Sequence, residues 1–263
     1  MRMPESPTVR VERRGPCAWV TLDRPPLNLM TPEMIAALSE AFGVLEHEPG
    51  VRAAVITGAG RVMTGGMQIE ALRDLSQAGA EALITTLHEA IRAVHESPFP
   101  TICMMNGDCL GAGFELAMAC DLRTAGADAR MGLPEIRVGI PSVIHAALLP
   151  GLVGPGRAAE HLLTGDSIAA GQALEWGLVN RVAPLDHLEA VTLELLGRIL
   201  ECSPAAVRLQ KELIINWRNA DQRSAIEQGI NAFARAYATR EPHEAMDAFL
   251  EKRKPKFVTD DGR

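Results

Sequence analysis

Aromatic side chains are scarce in this 263-residue chain, which holds three Trp, one Tyr and six Phe, 4% of the total. So few rings leave little for the stacking platforms that bind single-stranded nucleic acid. Positive charge is also in deficit: 26 Lys and Arg against 33 Asp and Glu give a formal net charge of −7. A chain of that sign has no global attraction for nucleic acid or an anionic bilayer. The five cysteines are odd in number and form no CxxC pair, which predicts buried, reduced thiols in a reducing compartment. Long apolar runs are missing as well. The most apolar stretch, GIPSVIHAALLPGLVG at 139–154, is cut by two prolines and a histidine, too short and interrupted to span a bilayer. The opening MRMPESPTVRVERRGP carries acids and no apolar segment of a secretory signal, and the closing DDGR is no prenylation box. A cytoplasmic protein with neither nucleic acid nor membrane as partner is the expectation.

What is present is an ordinary globular composition, 47% hydrophobic and 22% charged, at a length that allows one large core with an appendage. TVRVER and CAWVTLD flank the turn RRGP and predict a β-hairpin. Thr31-Pro32-Glu33 reads as a helix start, and Met34, Leu38, Ala41, Phe42 and Leu45 follow at helical spacing. AAVITG and TICMMNG are short continuous apolar runs, hence buried strands. Between them, residues 76–97 carry Leu83, Leu87, Ala90, Ile91 and Val94 on one helical stripe, ended by Ser97-Pro98. DLRTAG and ARMGLPE supply two further strands. This alternation predicts an α/β core. Beyond about residue 155 helical patterns dominate (GRAAEHLLTG, HLEAVTLELLGRILE, PAAVRLQKELIINW, SAIEQGINAFARAYA), with one strand-like insertion at GLVNRVAP. The expected organisation is a core over 1–195 and a helical C-terminal region over 196–263 that docks on a neighbouring subunit.

The stretch GAGFELAMACD at 111–121 places Glu115 among Gly, Ala, Phe, Leu and Met. An unpaired charge there is expensive, so the acid is masked, paired or used. A strand, a glycine turn and a helix build an anion site, because the first N–H groups of a helix have no internal partner and lie at its positive end. The spacing fits neither G-x-G-x-x-G nor G-x-x-x-x-G-K-[ST], which argues against a nucleotide. RVMTGGMQIEAL forms a second such loop, with Gly65 and Gly66 before Met67. Two peptide N–H groups from two such turns can converge on one oxygen, the construction of an oxyanion hole. Glu135 in MGLPEI is a second lone carboxylate, behind a proline. Read blandly, Glu115 is a helix-dipole acid and Glu135 a solvated loop acid; read together near an oxyanion hole, they divide acid and base roles.

NGDCLGAGFELAMACDLRTA followed by ARMGLPEIRVGIPS resembles the signature of the crotonase (enoyl-CoA hydratase/isomerase) superfamily. LDRPPLNLM, ITGAGRVMTGGMQIEAL and AFLEKRKPKF are similar to its other markers, in the same order along nearly the whole chain. The resemblance implies a spiral of repeated ββα units with a C-terminal helical trimerisation region, a homotrimer or hexamer, and a place in fatty acid metabolism. It implies an acyl-CoA thioester substrate, coenzyme A being part of the substrate and no separate cofactor or metal being needed. Its carbonyl would take two N–H bonds, from Met67 and Ala112. Arg24, Leu27, Gly65, Gly66, Gln68, Ile69 and Gly111 would bind substrate. Glu115 and Glu135 would match the two acids of the hydratase branch, Glu115 deprotonating water and Glu135 protonating the α-carbon of a 2-enoyl thioester.

The pattern departs from the family's at three places. GGMQ at 65–68 replaces the usual AGAD, with Gln68 for Asp; SVIHAALLP replaces GGTQRL; and Glu70 stands for a common lysine. His145 in the second of these is read as a packed residue, with substrate contact as the alternative. The basic run EKRKPKF at 251–257 complements a helix C-terminus or meets CoA phosphates. The rival activities are isomerisation, dehydration and thioester hydrolysis on the same scaffold, then a non-catalytic binding protein, then a nucleotide-dependent oxidoreductase.

Overall fold

The computed structural model describes residues 8–257. The first residues of the opening stretch, up to Pro7, and the closing DDGR lie outside them, as do the outer ends of the two expected regions. The hairpin forms where RRGP turns the chain: β1 (Val9–Arg14) pairs antiparallel with β2 (Cys17–Leu22). Helix α1 (Pro32–Leu45) starts where the sequence places it, the Thr31 hydroxyl accepting from the Met34 N–H at 3.3 Å. Then follow β3 (Ala53–Gly58), α2 (Ile69–Arg73), α3 (Gln77–His95), β4 (Thr101–Met105), β5 (Cys109–Leu110) and α4 (Ala112–Ala119). Next come β6 (Leu122–Gly126) and β7 (Arg130–Gly132), with 3-10 turns at Pro134–Val138 and Ile144–Leu148. The chain continues through α5 (Leu149–Val153), α6 (Pro155–Thr164), β8 (Ile168–Ala169), α7 (Ala170–Glu175) and β9 (Arg181–Ala183). It closes with α8 (Leu185–Leu200), α9 (Pro204–Trp217), α10 (Gln222–Ala236) and α11 (Glu241–Leu250).

Two sheets result, one of six strands in the order β1-β2-β3-β4-β6-β9 and one of three in the order β5-β7-β8. From β2 to β9 the larger sheet is parallel. Its central strands read as continuous apolar runs because both faces are covered. Ala18, Val20, Ala54, Ile56, Cys103 and Met105 pack into the main core with α1, α3 and α4. The alternate residues Trp19, Val55, Ile102 and Met104 pack against Leu188 and Leu196 of α8. The expected division at 195/196 thus falls inside a helix that covers the sheet.

Two buried cations set α4 and the helical extension. Lys211 of α9 donates to Asp121 at 2.8 Å, to the Phe99 carbonyl at 2.8 Å and to Ser97 Oγ at 3.1 Å, tying the extension to the core. Arg123 donates to the Cys120 carbonyl at 2.7 Å and the Ala117 carbonyl at 3.2 Å. Those are the unpartnered carbonyls at the negative end of α4, so its positive end is presented to the site.

Candidate active site

The two glycine loops lie side by side. Met63 N–H donates to the Asp108 carbonyl at 3.0 Å and Leu110 N–H to the Thr64 carbonyl at 3.0 Å, while Thr64 and Cys109 form a parallel bridge. Gly66 has φ +91° and Gly111 φ +56°, left-handed values that a Cβ disfavours. Space forbids one as well: a Cβ on Gly66 would sit 3.0 Å from the Leu110 carbonyl oxygen, and one on Gly111 2.7 Å from Glu135 Oε1. Gly113 is needed for contact, since a Cβ there would run into Thr64 Cγ2.

Thr64 and Asn28 brace the first loop. Thr64 Oγ1 donates to the Asn28 carbonyl at 2.8 Å and accepts from Gly66 N–H at 3.0 Å. Fully buried Asn28 donates through Nδ2 to the Ala59 carbonyl at 2.8 Å and the Val62 carbonyl at 3.0 Å. With its neighbours so committed, the Met67 N–H has no acceptor among the described residues. The Ala112 N–H, first in α4, has none there either, as the geometry of a helix start requires.

Both acids face the cavity beside these N–H groups. Glu115 is 3% exposed, and its Oε2 accepts from His145 N–H at 2.7 Å and Ala146 N–H at 3.2 Å. Burial drives its pKa up to about 8; the two N–H donors oppose that rise and the Glu135 charge adds to it. Glu135 is half-buried and accepts from Ser142 Oγ at 2.8 Å. Burial raises its pKa too, against its own backbone N–H and the Ser142 hydroxyl. The Glu135 charge is thus felt at Glu115 within the same cavity.

The cavity measures about 570 Å³. Its polar end holds Gly65, Gly66, Met67, Gly111, Ala112, Glu115 and Glu135, and its apolar walls come from α2, α3 and residues 138–143.

Comparison with known proteins identifies the family. The family model described as enoyl-CoA hydratase/isomerase matches residues 12–260. The chain belongs to that family. Similar relatives include the crotonyl-CoA hydratase of Syntrophomonas wolfei, 34% identical over 95% of this chain and 97% of that protein. The short-chain-enoyl-CoA hydratase of Clostridium acetobutylicum is 32% identical over 94% and 95% respectively. Among solved structures, the enoyl-CoA hydratase of Mycobacterium smegmatis superposes with a TM-score of 0.92 at 31% identity, covering 96% of this chain and 99% of its own.

Within this family member, the residues expected at the site divide into two groups. Glu115, Glu135, Met67, Ala112, Gly65, Gly66, Ile69 and Gly111 all line the one cavity. Arg24, Leu27 and Gln68 do not. Leu27 instead holds the loop by accepting Gly65 N–H at 2.8 Å, and Gln68 N–H donates to the Met30 carbonyl at 3.3 Å. Arg24 N–H donates to Asn28 Oδ1 at 3.0 Å. His145 is a packed residue: its imidazole stacks on His88 with centroids 5.3 Å apart and meets His95 edge-on at 5.8 Å. Burial, with His95 and His88 alongside, holds it down to about 4. In the basic run, Arg253 pairs with Glu244 at 2.6 Å. Sequence reasoning missed Asn28, Thr64, Ser142 and the N–H groups of His145 and Ala146. Asn28 and Ser142 stood inside the quoted LDRPPLN and GIPS segments, but nothing in the sequence pairs Ser142 with Glu135.

Proposed function

We propose that the protein is an enoyl-CoA hydratase that adds water reversibly to a 2-enoyl-CoA thioester. The observation that carries this reading is a buried and a half-buried carboxyl lining one cavity with two N–H groups that have no acceptor among the described residues. The thioester carbonyl accepts from Met67 and Ala112 N–H, an oxyanion hole for the enolate that forms when the β-carbon is attacked. Losing one such donor typically costs about 10²–10³ in rate.

A water lies between the two glutamates. The pair holds one proton, so that one group takes a proton from water while the other gives one to the α-carbon. In the reacting state Glu115 is ionised, favoured by His145 and Ala146 N–H against the burial that holds it protonated below about pH 8, and it accepts the proton from water while Glu135 delivers the other. The water oxygen bonds to the β-carbon, the electron pair of the double bond passes to the thioester oxygen, and returns to bond the α-carbon to the proton from Glu135. Coenzyme A enters as part of the substrate, and no further cofactor takes part.

The relatives named as hydratases support this reading over isomerisation or hydrolysis. The test follows 2-enoyl-CoA by its conjugated absorbance and free thiol by a thiol reagent. Loss of absorbance to an equilibrium, with no thiol released, is expected; release of thiol, or loss of the double bond without uptake of water, overturns the reading.

The chain assembles, in the same reading, with copies of itself through the helical extension. Phe233, which shares α10 with exposed Ile226 and Ile230, is 69% exposed, and Phe249 and Leu250 of α11 are 82% and 76% exposed. Apolar surface of that extent marks an interface, and sedimentation at micromolar concentration should find trimers or hexamers rather than monomers.

A further inference from the structure

The apolar lining of the cavity continues past the catalytic acids as an arm along α2 and α3. Four carbons occupy roughly 100 Å³, at about 30 Å³ for each water-sized group, against about 570 Å³ for the whole cavity, its polar end included. The arm has a direction. Leu87 of α3 is buried, and the next residue, His88, stacks on His145, whose N–H holds Glu115. From there the stripe Leu87, Ile84, Leu83 and Ala80 runs toward the start of α3. At 1.5 Å rise per residue these seven steps span about 10 Å, the length of about eight carbons in an extended zigzag.

The far walls are apolar and exposed. Leu75, Val138, Ile140 and Val143 line the arm yet stand 37%, 60%, 41% and 37% exposed. Among the described residues, the only charged lining groups beyond the two acids are Glu81 and Arg137, both exposed, and Arg137 is turned to Asp166 and the Thr164 carbonyl. A hydroxyl or carboxylate on the acyl tail would be stripped of water there without a partner.

We infer that the substrates are medium-chain 2-enoyl thioesters, of about eight to twelve carbons with no polar group beyond the double bond, whose tail lies along Leu83 and Ile84. This rests on the hydratase reading for its chemistry, though not for its binding. Each methylene laid on the stripe is worth about a fourfold gain in affinity, of which part is spent in ordering the chain.

The test measures kcat/KM for 2-butenoyl-, 2-octenoyl- and 2-decenoyl-CoA, together with calorimetric binding of saturated butyryl- and decanoyl-CoA. Wild type should favour decenoyl over butenoyl at least tenfold, and decanoyl should bind at least tenfold tighter than butyryl. Leu83→Trp, and Ala80→Trp at the exposed end of the stripe, should lower the decenoyl-to-butenoyl ratio tenfold or more. A butenoyl optimum, an affinity independent of chain length, or a ratio that neither variant moves overturns the inference. Tighter decanoyl binding without hydration of any enoyl-CoA would uphold the tail site and refute the hydratase reading, so the two fail separately.

Discussion

Glu115 is held by the backbone of His145, whose N–H donates to Oε2 at 2.7 Å. The imidazole of the same residue is wedged against His88 and His95 on α3, so the donor cannot drift from the acid. Ile144, just before it, has φ +39°, a left-handed value unusual for a β-branched residue and of the kind that gathers at functional sites. The helix holding the acid and the turn supplying its donors are thus fixed to one another through α3.

That arrangement keeps an acid where burial opposes its charge, and stability should show it. The Glu115 pKa in the folded protein, about 8, lies above its ordinary value of 4.5. The stability it contributes is therefore fully present below the ordinary value and is lost as pH rises through about 8. Glu115→Gln keeps an acceptor for both N–H groups and does not titrate. Chemical denaturation should find the variant more stable than wild type by about 1–3 kcal/mol near neutral pH, with the gap closing as pH falls toward 4.5.

The same proton governs rate. With one proton needed on the pair, kcat/KM should follow a bell, falling at acid pH where both carboxyls are protonated and at alkaline pH where neither is. The measurement is the pH profile of 2-enoyl-CoA hydration. A rate that climbs steadily past pH 9 would contradict a protonated partner.

Gly111→Ala should fold poorly or lose at least 10²-fold in kcat, since its φ is left-handed and the added methyl would push Glu135 aside. Gly43→Ala is the contrast: it lies exposed inside α1 with nothing within reach of a Cβ. There the change should add about 0.5–1 kcal/mol and leave turnover as it was.

Thr64→Val keeps the shape but removes the hydroxyl that joins Asn28 to Gly66 N–H. It leaves a buried N–H and a buried carbonyl without that partner, at a cost of about 1–3 kcal/mol. Because the Met67 N–H follows directly, kcat should fall about 10–100-fold with KM less affected, a split that steady-state kinetics resolves.

The hairpin, the parallel strands and the long helices were legible because their signals are local: period-two or continuous apolar runs, capping Thr31, the stripe of α3. The two-residue strands β5 and β8 carry no periodicity and went unread. At the site, Glu115, Glu135 and the paired glycine loops could be seen as unusual residues in apolar surroundings, and the family resemblance gave them roles. Arg24, Leu27 and Gln68 were named from the resemblance and lie outside the cavity lining, a distinction that nothing in the sequence makes. The partners of the acids were hidden for another reason: the N–H groups of His145 and Ala146 lie thirty residues along and act through backbone that any residue type supplies.

The most direct test of the two-glutamate site is the steady-state hydration of 2-decenoyl-CoA by wild type, Glu115→Gln and Glu135→Gln at neutral pH. The account predicts that each variant folds, binds decanoyl-CoA within a few-fold of wild type and loses about 10²–10⁴ in kcat. Turnover within twofold of wild type in either variant would contradict it.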